Sequence, residues 1–187
     1  LQKLPFIESK SRYYLPLMPF AIERFNLSKY DLVISSSHCV AKSIKSAPGS
    51  LHICYCHTPM RYIWDQFGQY FNVKKSNLII WAVMKLLRPW LQKWDSKTSS
   101  RGNYFIANSN HVKNRIKKYY KKDSIVIYPP VDTNFFKPNK NNIGDYFLIV
   151  SAFAPYKRVD LAIEAFNILG YPLTVIGEGQ DAEALRL

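Results

Sequence analysis

The residues with the clearest capacity for chemistry lie in the stretch CYCHTPMRYIWD, residues 54–65. Its cysteines and histidine leave three interpretations open: a metal site, an active site, or a buried strand that runs into a polar turn. A closed zinc site needs four convergent ligands, of which Cys54 and Cys56 supply two. His38 and Cys39, at the end of another predicted strand, would have to complete the set. Small cysteines packed in a buried parallel strand are therefore the favoured interpretation.

The active-site interpretation of this stretch rests on the position of His57. In open parallel α/β sheets, ligands bind beyond the carboxyl ends of the strands. His57 lies where the predicted strand LHICYC gives way to Thr58 and Pro59, and a proline cannot continue the donor ladder of a strand. An imidazole there can accept a proton or bind a substrate hydroxyl near neutral pH. Arg61 and Asp65 follow closely enough to be candidate residues of the same cleft.

The segment SAFAPYKRVD, residues 151–160, predicts an anion site. Lys157 and Arg158 stand at the predicted start of a helix, just past a strand and Pro155. Cations combined with the free N–H groups of a helix N-terminus form a receptor for phosphate. A solvated surface pair is the alternative, but cations are unfavourable at the positive end of a helix, which favours a binding role.

Two further patterns are less specific. Gly177 and Gly179 form a Gly-x-Gly turn after a predicted strand, which permits a close approach of backbone to a ligand but lacks the third glycine of a dinucleotide site. The stretch KNRIKKYYKK, residues 113–122, carries six cations and two tyrosines. It fits a nucleic-acid-binding helix with stacking aromatics, although a solvated helix face is the favoured interpretation.

The elements that would position these residues alternate between strands and helices. We predict strands at residues 30–38, 50–57, 104–110, 124–132, 146–154 and from residue 172, and helices at residues 111–122 and 159–170, with another helix beginning at the end of the sequence. Asn108 and Ser109 provide a helix-start signal after the third strand and are further candidate cleft residues. The alternation predicts an α/β fold with a parallel sheet, and the polar, turn-rich residues 129–143 predict a linker between two domains.

Charge is distributed unevenly along the 187 residues. Residues 1–123 carry 21 Lys and Arg against 6 Asp and Glu, a net charge of +15, whereas residues 124–187 have a net charge of −2. The basic part therefore predicts an anionic partner. The odd number of cysteines, three, argues against a disulfide framework and favours a reducing, cytoplasmic compartment.

The longest apolar run, residues 78–91, contains Lys85, Arg88 and Pro89, and is too short and too charged to span a bilayer. A packed core helix is the favoured interpretation. The alternative is a helix that lies on a membrane surface, with tryptophans as interface anchors.

Three separated stretches together resemble one family. They are YCHTPMRYIWD (55–65), NSNHVKNRIKKYYKKDSIVIYPPVDTNFF (108–136) and FLIVSAFAPYKRVDLAIEAFNILGYPLTVIGEGQDAEALR (147–186), and they resemble glycosyltransferase family 4, of the GT-B fold. The resemblance is closest to bacterial mannosyltransferase-like enzymes of surface-polysaccharide assembly. It implies two Rossmann-like domains, both incomplete in this sequence. Residues 1–128 would be the later part of the acceptor-side domain, and residues 144–187 the start of the domain that binds the nucleotide-sugar donor.

The resemblance also implies an activity: transfer of a hexose, with mannose from GDP-mannose as the candidate, to a lipid-linked or saccharide acceptor with retention of configuration. No metal would be obligatory, and no nucleic acid is expected. His57 matches the family histidine that approaches the donor sugar, and Lys157 matches one cation of the pair that neutralises the donor diphosphate. Ala152 stands where the family usually has an arginine, and Arg158 is the candidate substitute.

The family's N-terminal glycine-rich loop and its distal glutamate-rich motif are absent from the sequence. The resemblance therefore predicts a central fragment that is inactive alone. The basic first domain suits an acceptor held on an anionic membrane surface, and hence a peripheral position on the cytoplasmic face of the inner membrane. Two other functions stay open: a basic nucleic-acid-binding protein, and a non-catalytic relative that binds sugar nucleotides.

Overall fold

The computed structural model of the protein describes residues 11–71, 77–138, 144–179 and 181–186. The chain divides into two compact units, Leu1–Pro130 (unit 1) and Val131–Leu187 (unit 2). The assignment of residues 1–128 and 144–187 to an acceptor-side and a donor-side domain, joined by a linker at 129–143, stays a prediction.

Unit 1 is built on a four-stranded parallel sheet whose spatial order follows the chain. Its strands are β1 (Leu32–Ser37), β2 (Leu51–Cys56), β3 (Tyr104–Ala107) and β4 (Ile125–Val126). The side chains alternate strictly between a buried and an exposed face in β1 and β2. The predicted α/β class with a parallel sheet is confirmed. All four strands are shorter than predicted, and β4 has only two residues because Pro129 and Pro130 follow closely and cannot donate to a ladder.

The described α-helices of unit 1 lie before the sheet and in the connections between its strands. α1 (Met18–Ile22) precedes β1, α2 (Phe67–Tyr70) and α3 (Leu78–Thr98) connect β2 to β3, and α4 (Asn110–Tyr120) connects β3 to β4. Crossovers between parallel strands are right-handed, so connections that advance in one direction along a sheet lie on one face. Cys54, Cys56, Phe105 and the buried side of α4 accordingly form one apolar cluster. The other face carries exposed apolar side chains, such as Ile34 and Tyr104.

A second apolar cluster joins α3 to the segment that follows β2. Met84 and Leu91 of α3 pack with Met60, Ile63 and Phe71. The favoured prediction of a packed core helix at residues 78–91 is therefore correct for one face of α3 only, because other apolar residues of the helix are exposed. Within the described residues, no helix is long and apolar enough to cross a bilayer.

Unit 2 contains a parallel pair of strands and one helix. They are β5 (Phe147–Val150), α5 (Val159–Leu169) and β6 (Leu173–Ile176). Gly170 ends α5 in the left-handed conformation, with φ of 72°, which agrees with the end of the helix predicted at residues 159–170. The predicted helix at the end of the sequence is wrong for the described residues: 181–185 form turns, held by isolated bonds such as Leu185 N–H to Asp181 O at 3.0 Å.

Candidate active site

The carboxyl ends of β1, β2 and β3 lie side by side in unit 1. Ser37 pairs with Cys56 in the parallel register, and Cys56 pairs with Ala107. His57 is the next residue after β2, and its N–H donates to Ser37 O at 2.8 Å, which holds it against the end of β1. The histidine therefore lies at the edge of the sheet where parallel α/β folds bind ligands.

The exposed imidazole of His57 is oriented by two neighbours. Its Nε2 lies 2.8 Å from Ser36 Oγ, and its ring meets Tyr55 edge to face at a centroid distance of 5.2 Å. Ser36 and Tyr55 are register partners, so the strand pairing itself places both beside the histidine. A serine hydroxyl can donate to or accept from either tautomer of the imidazole. The arrangement orients a ring nitrogen while leaving the ring accessible to solvent.

Sequence reasoning did not single out Ser36. The available signal was its position in the run ISSSH, two residues before the end of the strand predicted at residues 30–38. Because side chains alternate along each strand, residues that pair in register lie on the same face of a parallel sheet. A hydroxyl near the end of one strand can therefore bond to a histidine at the end of the neighbouring strand. The contact between Ser36 and His57 depends on the pairing of β1 with β2, and neither segment alone predicts that pairing.

A cavity of about 270 Å³ opens beside the same strand end. Ser36 forms part of its wall, together with His38, Cys39 and Tyr62. Partial burial and the positive charge of Arg61 lower the pKa of His38, which favours the neutral imidazole. Ser36, whose hydroxyl orients His57, thus also lines a cavity whose other walls are mainly apolar.

The cysteines of the opening stretch lie on the buried face of β2, as predicted. Cys54 and Cys56 are fully buried and pack against Phe105 and Ala107. The hydrogen bond from Cys54 together with burial raises the pKa of the Cys56 thiol, and burial raises the pKa of Cys39 to about 12. The same contact between the two cysteines lowers the pKa of Cys54. Across residues 11–71, 77–138, 144–179 and 181–186, no group of three or more His, Cys, Asp or Glu side chains is arranged to hold a metal.

Asp65, a candidate cleft residue, is bound to Arg115 of α4. Arg115 Nη1 lies 3.1 Å from Asp65 Oδ2, and Nη2 donates to Asp65 Oδ1 at the same distance. This two-bond geometry fastens the segment after β2 to α4. The described contacts therefore give Asp65 a structural role, and they leave its role in the cleft a prediction, as for Arg61.

Asn108 and Ser109 follow β3 and lie at the same edge as His57. Ser109 Oγ accepts a hydrogen bond from Val112 N–H at 3.2 Å, which confirms the predicted helix start. The Ser109 hydroxyl also donates to Asn108 Oδ1 at 3.3 Å. The first turn of α4 is thus ordered next to the strand end, and contact of either side chain with a ligand stays a prediction.

The nucleic-acid alternative depended on exposed tyrosines in the basic stretch 113–122. Tyr119 instead stacks on Trp64 at a centroid distance of 4.5 Å, and Tyr120 is buried and donates to Asp95 Oδ2. Both rings are engaged by the protein itself. Among residues 11–71 and 77–130, the described part of unit 1, no contact favours base stacking by this helix.

The predicted anion site in unit 2 has two differently placed cations. Lys157 is exposed in the short turn Pro155–Lys157, and Arg158 is the residue before α5, with a left-handed φ of 51°. Arg158 Nη2 lies 3.0 Å from Asp160 Oδ2. The hydrogen bond between them raises the pKa of Arg158 and lowers the pKa of Asp160. The arginine is therefore held beside its own helix by a carboxylate.

The two glycines after β6 are approached closely by the chain, and Gly177 also lines a cavity of about 460 Å³ in unit 2. A β-carbon at Gly177 would overlap Ser151 O, and one at Gly179 would overlap Phe153 O. Phe153 N–H donates to Glu178 O at 2.7 Å across the same contact. This close packing accounts for a glycine at both positions, and contact of either one with a ligand stays a prediction.

Replacement of Gly177 by alanine should destabilise unit 2 by about 1–3 kcal/mol, because the added methyl group collides with backbone that cannot rotate away. Faster amide hydrogen exchange in β5 and β6 would measure the loss. Gly68→Ala is the matched control, since a β-carbon at Gly68 in α2 has open space around it. Unchanged exchange in Gly177→Ala would contradict the described packing.

Comparison with known proteins assigns the family. The family model described as Glycosyltransferase Family 4 matches residues 2–135. The chain belongs to Glycosyltransferase Family 4. The match covers all of the described strands of unit 1 and confirms the resemblance that the sequence motifs indicated.

One curated relative also matches. This family 4 chain is 33% identical over 97 residues to an uncharacterized glycosyltransferase of Methanocaldococcus jannaschii. The match covers 45% of this chain and 26% of the archaeal protein, so the chain spans about a quarter of that relative.

Within unit 1 of this family 4 chain, the structure brings together His57, Ser36 and the strand end before Asn108. Lys157 and Arg158 belong to unit 2. Convergence of the two groups on one cleft stays a prediction.

Proposed function

We propose that the protein takes part in retaining transfer of a hexose from a nucleotide-sugar to a lipid-linked or saccharide acceptor. One observation carries the proposal: in a chain of Glycosyltransferase Family 4, His57 lies at the carboxyl end of a parallel sheet, accessible and oriented by Ser36. A neutral imidazole can accept or donate one hydrogen bond at each nitrogen, which suits the hydroxyl groups of a sugar. His57 would orient the transferred sugar or the acceptor at that edge.

The leaving nucleoside diphosphate gains negative charge as the glycosidic bond breaks, so the donor side needs fixed cations. Lys157 and Arg158 are proposed for this role. Arg158 would release Asp160 and bind a phosphate oxygen instead. The guanidinium group binds carboxylate and phosphate oxygens with similar geometry. Ala152 supplies no charge, so these two side chains would carry the whole stabilisation on that turn.

The finer assignments follow from the resemblance alone. GDP-mannose is the proposed donor, cell-surface polysaccharide synthesis the proposed process, and the cytoplasmic side of the membrane the proposed location. A metal is not required in this scheme because side-chain cations neutralise the diphosphate.

Thermal unfolding with candidate ligands tests the proposal. GDP-mannose should raise the melting temperature of the protein, because a ligand that binds only the folded state stabilises it by mass action. The double variant Lys157→Ala/Arg158→Ala should lose most of that shift. Lys137→Ala, which removes an exposed cation elsewhere in unit 2, should keep it. A shift with single-stranded RNA or DNA and none with any nucleotide-sugar would reject the proposal.

A further inference from the structure

We propose that the outer face of α3, together with the adjacent Phe20 of α1, docks on the surface of an anionic lipid bilayer. The inference rests on the proposed function for its biological sense, since it supplies the surface on which a lipid-linked acceptor would be met. Its physical basis is independent of catalysis and comes from the exposure and charge of two helices.

An apolar stripe runs along the solvent side of α3. Ile79 is 70% exposed, Val83 47%, Leu86 79% and Trp90 41%. Their spacing of four, three and four residues places all four on one face of the helix. A different face of α3 carries the buried Met84 and Leu91, so the stripe is additional to the side that fills the core.

The stripe is widened by α1. Phe20, 59% exposed, stacks on Trp90 with the ring centroids 5.9 Å apart and the planes 21° from parallel. We call these five residues the outer stripe: Phe20, Ile79, Val83, Leu86 and Trp90. A contiguous exposed patch of large apolar side chains marks an interaction site, whereas scattered ones need no explanation.

The charges around the outer stripe select an anionic surface as its occupant. Lys93 and Lys97 continue the same line along α3 beyond Trp90, and both are exposed. Asp95, the single acidic residue of α3, is fully buried in an ion pair. A helix with large apolar residues, a tryptophan and lysines on its outer side has the composition of one that lies in a bilayer interface.

An acidic side chain at the end of α1 is neutralised as well. Glu23, just after α1, is bound by Arg101 at 2.8 Å and by Lys45 at 3.3 Å. The net field at the stripe is therefore positive, in agreement with the charge of +15 on residues 1–123. Anionic lipids are attracted to such a surface, and a second copy of the same basic surface is repelled.

The helix that carries the outer stripe is fastened to the segment that follows His57. Arg88, in the middle of α3, donates from Nε to Ile63 O and from Nη2 to Trp64 O, both at 2.8 Å. Ile63 and Trp64 belong to the segment that leaves the sheet directly after His57. Arg88 lies on the side of α3 opposite to the outer stripe. The helix therefore stands between the proposed docking surface and the segment after the candidate catalytic residue.

Vesicle co-sedimentation tests the docking surface. We expect the protein to bind phosphatidylcholine vesicles containing phosphatidylglycerol at least tenfold more tightly than pure phosphatidylcholine vesicles, and to bind less tightly as salt rises. Ile79→Ser/Leu86→Ser should weaken binding at least tenfold. Because both side chains are at least 70% exposed, the variant should fold as the wild type does, which circular dichroism checks. Ile168→Ser, at an 86% exposed site on α5, is the matched control and should bind normally.

Lysine variants measure the electrostatic contribution to vesicle binding separately from the apolar contribution. Lys93→Glu/Lys97→Glu should lower affinity for the anionic vesicles, whereas Lys113→Glu/Lys118→Glu on α4 changes the charge equally and should have a smaller effect. Equal binding to neutral and anionic vesicles, or no binding to either, would overturn the proposal. So would a change from oligomer to monomer in Ile79→Ser/Leu86→Ser without a change in vesicle binding, since the occupant would then be a second copy.

The membrane-docking proposal and the glycosyl-transfer proposal can be rejected independently of each other. Vesicle binding that depends on the outer stripe, in a protein that no nucleotide-sugar stabilises, would support docking and reject glycosyl transfer. Stabilisation by GDP-mannose without vesicle binding would do the reverse.

Discussion

Replacement of Asp95 by alanine should lower the free energy of unfolding of unit 1 by about 3–5 kcal/mol, because it leaves a buried ammonium group without its counter-charge. Lys42 and Asp95 are 1% and 0% exposed, and Lys42 Nζ lies 3.0 Å from Asp95 Oδ1. Domains of this size are stable by about 5–15 kcal/mol, so the loss would remove a large part of the total.

The neighbours of the ion pair add to the cost of removing the Asp95 carboxylate. Asp95 Oδ2 accepts hydrogen bonds from Trp64 Nε1 at 2.8 Å and from Tyr120 Oη at 3.0 Å. Burial and the charge of Asp95 raise the pKa of Tyr120, which keeps that phenol a donor. Lys42 Nζ also donates to Asp95 O at 2.7 Å and to Ser43 Oγ at 3.0 Å. Loss of the carboxylate therefore leaves the Trp64 and Tyr120 donors, and the charge of Lys42, without their partner.

Urea unfolding followed by tryptophan fluorescence measures the effect in unit 1 alone, because all four tryptophans lie before residue 131. Asp95→Asn should lose less stability than Asp95→Ala, since the amide oxygen still accepts a hydrogen bond. Lys42→Met/Asp95→Leu should be more stable than Asp95→Ala, as apolar substitutes leave no unpaired charge. Asp123→Ala is the control, because its exposed pair with Lys117 should leave the unfolding midpoint unchanged. An equally small effect of Asp95→Ala would show that Lys42 is solvated.

Local signals in the sequence predicted the elements and their ends. Ser109 caps α4 through its own hydroxyl, and Gly170 ends α5 by adopting a conformation that other residues avoid. His57 could be placed at a strand end because Pro59 stops the ladder two residues later. Each of these outcomes depends on residues within about four positions, which is the range over which propensity, capping and proline act.

Contacts between distant segments were not predictable in the same way. Lys42 reads as a surface cation and Asp95 as a polar position in a helix, yet 53 residues of chain separate two fully buried partners. The tyrosines of the basic stretch 113–122 face inward because α4 packs on the sheet, a fact of tertiary structure. The Gly177 turn has the composition of a ligand loop, but the partner that approaches it is Ser151 of the neighbouring strand end.

Replacement of His57 by alanine should lower kcat for sugar transfer by about 10²–10⁴-fold in a form of the protein that transfers sugar. The candidate mechanism gives the imidazole a contact with the reacting sugars, and alanine supplies no group for it. KM for the donor should change little, because the diphosphate contacts are assigned to Lys157 and Arg158. His111→Ala, an exposed histidine at the start of α4, is the control and should retain full activity.

Variants of Ser36 distinguish the effect of orienting the His57 ring from the effect of removing the ring. Ser36→Ala removes the 2.8 Å hydrogen bond to the ring and should lower kcat about tenfold, since a misplaced group loses part of its advantage. Ser36→Thr keeps the hydroxyl and should recover most of the rate, which a purely structural role would not produce. Both His57 and Ser36 are exposed, so His57→Ala should keep the wild-type unfolding midpoint. Turnover by His57→Ala within threefold of the wild type would instead support the non-catalytic sugar-nucleotide-binding relative or a different catalytic residue.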